Sequence, residues 1–63
     1  MSTLITTPNL KNADDIYAML LAAHEDLSLE DSTALNARLV LLLVNHIGDA
    51  GVIEEALEIA KQG

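Results

Sequence analysis

From Asn12 onward the apolar positions recur with a helical period, and polar punctuation divides them into three segments. The first segment begins after Asn12, a residue suited to an N-cap, with Asp15 placed to favour the positive helix end. Winding it as a helix puts Ile16, Tyr17, Met19, Leu20, Leu21, Ala23 and Leu27 on one broad face. Asp14, Asp15, Ala18, Ala22, Glu25 and Asp26 fall on the other. Ser28-Leu29-Glu30-Asp31 then has the form of a capping box with Asp in place of Glu or Gln, which predicts a second helix. That helix runs to about Ile47, where Gly48 supplies the left-handed residue that ends helices. Asp49 is placed to cap a third helix. In it Val52, Ile53, Ala56, Leu57, Ile59 and Ala60 share one face, and Glu54, Glu55, Glu58 and Lys61 the other. Short connections predict antiparallel neighbours. The expected fold is therefore all-α: a compact three-helix unit over residues 12–63 forming one domain. Residues 1–11 precede it as an extended arm, because three threonines and Pro8 disfavour helix there.

The second helix departs from ordinary amphipathic patterning. With Leu35 set at zero, its apolar residues sweep from about −20° (Leu42) through Leu39, Leu43, Ile47, Val40, Val44 and Ala37 to about 240° (Leu41). Arg38 and Asn45 hold the narrow polar stripe that remains. A helix bordering one core needs an apolar arc of little more than about 100°. Two flanking helices cannot cover the rest, so the pattern predicts a second copy of the chain, or a larger protein, against the central helix. The expected contact face comprises Val40, Leu41 and Val44, with Arg38, Asn45 and His46 at its border.

Composition narrows the possible functions. The chain has 63 residues, ten acids against three bases, and a net charge of −7. An acidic surface repels phosphate backbones and anionic lipid, so neither nucleic acid nor membrane is expected as a partner. The longest apolar run, Leu39–Val44, is far short of the ~20 residues of a membrane span. No signal peptide is evident, which makes the cytoplasm the expected compartment. Without cysteine there is no disulfide, thiol nucleophile or sulfur-ligated metal.

Catalytic templates find no match. Asp14-Asp15 and Glu54-Glu55 lie on polar faces, where a carboxylate has no reason to be tuned as a general acid. Ser28 and Ser32 have no histidine–acid partners nearby in sequence. His24 and His46 sit on different helices with no second ligand one turn away, which argues against zinc. No cofactor is expected. His46 belongs to the last turn of its helix, where a ring N–H meets open carbonyls. His24 borders the apolar face of the first helix beside Leu20 and Tyr17. Arg38 is expected to lay its stem on Leu35, Leu39 and Leu42 and to pair with an acid such as Asp31 or with one across an interface. Asn36 and Asn45 are candidates for fixing helix register. Asn36, His24 and Tyr17 are also the polar groups available to a small ligand. A dimer could hold an apolar or aromatic ligand in the seam between two central helices, with Asn36 or His46 offering a hydrogen bond.

The runs Leu35-Asn36-Ala37-Arg38-Leu39 and Asn45-His46-Ile47-Gly48-Asp49 are distinctive. Together with Ala23-His24-Glu25-Asp26-Leu27-Ser28, Thr7-Pro8-Asn9-Leu10, Tyr17 and Glu55-Ala56-Leu57, they resemble a family of short bacterial proteins catalogued as a domain of unknown function. The resemblance implies association with genes for FAD-dependent aromatic hydroxylases, and hence a small accessory subunit or partner of such a flavoprotein. It carries no catalytic motif.

Overall fold

Two acids in the first turn, Asp14 and Asp15, set the start of α1 (Ala13–His24) against the positive helix end. Asn12 occupies the N-cap position, but its side chain makes no capping bond. Its backbone (φ −133°, ψ 51°) lies outside the extended region that aims a cap oxygen at the first-turn amides. The computed structural model describes residues 3–63. The expected arm is non-helical from Thr3 to its end, and its first two residues, Met1 and Ser2, lie outside the described residues.

The other two helix starts follow the sequence closely. The Ser28 Oγ accepts the Asp31 N–H at 3.1 Å and opens α2 (Leu29–Ile47). Gly48 ends α2 with φ 64° and donates its N–H to the Val44 carbonyl at 2.9 Å. The carboxylate of Asp49 accepts from both Gly51 N–H (2.9 Å) and Val52 N–H (3.2 Å), opening α3 (Ala50–Lys61). At the end of α3, Lys61 reaches Glu58 at 3.5 Å, an exposed pair one turn apart worth a few tenths of a kcal/mol, or ~0.3. The all-α three-helix architecture is the one the periodicity predicts.

Packing among the helices is uneven. α2 and α3 lie against each other, while α1 makes little contact with either. The expectation that both short connections yield packed neighbours therefore holds for the second and is corrected for the first. Four residues, Glu25 to Ser28, turn the chain between α1 and α2, and Asp26 does so with φ 60°. Asp tolerates the left-handed region better than most side chains do. The Leu27 N–H closes the corner on the His24 carbonyl at 3.3 Å.

The consequence is a thin core. Among the described residues no side chain is fully buried. Partial cover is confined to Leu35, Leu39, Ala34, Ser32 and Val44 of α2, to Val52, Ile53 and Ala56 of α3, and to a few positions elsewhere such as Ile16 and His24. The Cα radius of gyration is 13.5 Å, with a long axis of 40 Å. A fully condensed chain of this length would have a radius of about 10.6 Å.

Candidate interaction surface

The accessible surface quantifies what the packing leaves open. The chain exposes 5710 Å². A well-packed monomer of 6.7 kDa exposes only about 3,900 Å² on the usual mass scaling. The excess, roughly 1,800 Å², is surface that small monomeric domains put inside.

Part of that excess is organised. Along the α2–α3 hairpin runs an open groove of about 240 Å³, walled by Val40, Leu43, Val44 and Ile47 on one side. Ile53, Ala56, Leu57 and Ala60 form the other wall. On α2 the wall occupies the arc from about 80° to about 180°, so it is one continuous stripe. No carboxylate lines it. A second stretch lies on α1, where Tyr17 (64% exposed), Met19 (67%) and Leu21 (54%) stand in solvent and Leu20 is only partly covered. Isolated helices of about 12–15 residues are marginal in water, and α1 has 12 residues. Its own hydrogen bonds do not account for its stability without a surface to pack on.

The expected contact residues divide between two faces. Val40 and Val44 stand side by side in the groove. Leu41, 69% exposed, sits about 60° beyond the groove's edge on the helical wheel, beside the polar stripe. Arg38, Asn45, His46 and Asn36 are all exposed. The Arg38–Asp31 pair does not form: among the described residues the ion pair is Lys61–Glu58. Asp31 belongs instead to the first turn of α2, where its N–H engages Ser28. His46 occupies the last turn of α2, favourable for a cationic ring at the negative helix end.

His24 has a partner that sequence reasoning missed. Its Nδ1 is hydrogen-bonded to the Ser32 hydroxyl, joining the end of α1 to the second turn of α2. The sequence offers Ser32 no histidine–acid pair nearby, and the fold brings it a histidine without an acid. The two are eight residues apart, a spacing no helical period brings together, and only the corner at residues 25–28 does so. A serine–histidine contact alone is not a nucleophilic device, which also needs an orienting group on the ring and donors for an oxyanion. Here the contact works as a brace. Other surface depressions run along Gly51, Glu54, Glu55, Glu58 and Ile59 and along Leu10 to Asp15, where carboxylates are solvated. No group of three or more His, Cys, Asp or Glu side chains among the described residues could hold a metal. No described helix is long and apolar enough to cross a membrane.

A family model described as "Protein of unknown function (DUF2783)" matches residues 4–62. No curated protein and no solved structure matches the chain.

Proposed function

The chain belongs to this family of proteins of unknown function, and from that premise we propose that it is a non-catalytic helical interaction module whose packed form is reached by association. One observation carries the reading. A chain that is half hydrophobic by composition buries no side chain completely among its described residues. Exposed apolar surface on this scale marks an interaction site. The resemblance to proteins encoded beside FAD-dependent aromatic hydroxylases makes a flavoprotein the larger partner to test, with this chain as its accessory subunit. Groups at the border of the apolar face, Arg38, Asn45 and His46, would then meet partner atoms at the rim.

The test is a set of thermal melts of the full chain over a thousandfold range of concentration, with and without the purified flavoenzyme. Association-coupled folding raises the midpoint with concentration or on adding the partner. A sharp, concentration-independent melt of a 6.7 kDa particle that ignores the flavoenzyme would overturn the reading.

A second reading is a homodimer that binds a small apolar or aromatic ligand in the seam between two copies of α2; within one chain the nearest comparable feature is the α2–α3 groove. At about 240 Å³ the groove falls below the ~300–1,000 Å³ of most ligand pockets. Neither Asn36, His24 nor Tyr17 lines it. A row of aliphatic side chains fits it better than a ligand needing a hydrogen bond.

A further inference from the structure

We propose that the α2–α3 groove receives α1 of a second copy of this chain, which in return receives the first copy's α1, so that the stable form is a symmetric dimer with exchanged first helices. The proposal rests on the interaction reading above and names the occupant of that surface.

Reach limits how much of the groove the chain's own α1 can fill. His24 is fixed to Ser32 at the corner. From His24 back to Ala13, α1 extends about 17 Å at the helical rise. Val44 and Ile47, at the far end of the groove, lie roughly 18 and 22 Å along α2 from Ser32. Laid flat along α2, α1 ends about level with Val44 and falls short of Ile47. Of the arm's apolar residues, Ile5 and Leu10 are exposed and Leu4 is partly covered. The α1 of another copy has no such tether. Its 12 residues equal the 12 of α3, so it matches the groove in length.

Area supports a second copy of this kind. An excess of roughly 1,800 Å² per chain exceeds the ~800 Å² per partner of a standard interface. It lies within the range of obligate dimers, which bury ~2,000–5,000 Å² in total. Two reciprocal helix-in-groove contacts, related by a two-fold axis, use the same patch on both copies. Charge permits the approach although each copy carries −7. Between Ser32 and Ile47 α2 holds no acid, and neither does the Ile16, Leu20, Ala23 stripe of α1. The carboxylates stay at the rim.

The test places opposite charges on the two halves of one contact, in separate full-length chains: Leu20→Asp in α1 and Leu57→Lys in the groove. Parent chain, each variant and an equimolar mixture are compared by light scattering and circular dichroism. The expected result is a parent of twice 6.7 kDa and single variants at least tenfold weaker in self-association. The mixture should regain parental mass and helicity, because the mixed dimer keeps one apolar contact and pairs Asp with Lys in the other. A parent dimer whose variants are not rescued by mixing overturns the exchange and leaves the interaction reading standing. A parent that is monomeric until the flavoenzyme is added overturns the second copy as occupant, again sparing that reading. A well-folded monomer indifferent to every partner overturns both. Should Leu20→Asp and Leu57→Lys abolish helicity even when mixed, Leu20→Ala and Leu57→Ala give the deciding measurement. Each weakens a parent dimer about tenfold or more under the proposal, and a change below twofold in both overturns it.

Discussion

His24 Nδ1 and the Ser32 hydroxyl are hydrogen-bonded across the α1–α2 corner, where α1 otherwise packs little against the other helices. Ser32→Ala should cost about 0.5–1.5 kcal/mol, the net worth of a partly covered hydrogen bond. The loss should appear locally. Amide exchange in α1 is expected to accelerate while α2 and α3 keep their rates, and uniform acceleration across all three helices would refute the brace.

Gly48→Ala should destabilise by about 1–2 kcal/mol, because φ 64° is a left-handed conformation that alanine resists. Space is not the cause, since an added Cβ meets nothing nearer than the Asn45 carbonyl at 3.7 Å. Gly51→Ala is the contrast. Alanine gains helix propensity there, but its Cβ comes within 3.2 Å of the Asp49 Oδ1 that caps α3. The two effects offset, and its denaturation midpoint should stay close to the parent's.

Asp49→Ala removes the acceptor for two first-turn amides of α3. The expected cost is about 1–2 kcal/mol by chemical denaturation. Asp49→Asn keeps an acceptor oxygen and should recover most of it. If Asn and Ala behave alike, the cap acts through charge at the helix end.

Salt should tighten self-association. Two copies of net charge −7 repel, and raising the ionic strength from about 0.01 M to 1 M shortens the screening length from ~30 to ~3 Å. Sedimentation equilibrium is expected to show an affinity gain of about tenfold across that range. Weakening with salt would mean that Arg38 or another base makes the dominant contact.

Both ends of α2 and the start of α3 were legible in the sequence because each rests on local chemistry: Ser28, Gly48 and Asp49 act on amides and carbonyls within four residues. The ends of α1 were less so: Asn12 makes no capping bond, and the helix stops at His24, before the Glu25, Asp26 and Leu27 that the periodicity carries on its faces. The excess apolar arc of α2 was legible too, by counting residues round a wheel. What α3 covers of that arc was not. Val40, Leu41 and Val44 look equivalent in sequence, yet the side on which α3 returns places Val40 and Val44 in a groove and leaves Leu41 outside it. The His24–Ser32 contact was invisible for the same reason, since it depends on the angle of a corner.

The absence of any fully buried side chain among residues 3–63 bears on how long such a chain survives in a cell. Proteolysis draws on open conformations in proportion to their population, and a helix with so little to pack against opens at small cost. Under the proposed exchange, copies without a partner are the vulnerable ones, and pairing shields them by mass action. Turnover would then fall steeply once the concentration of the chain passes the dissociation constant, giving the protein an abundance threshold set by its own affinity.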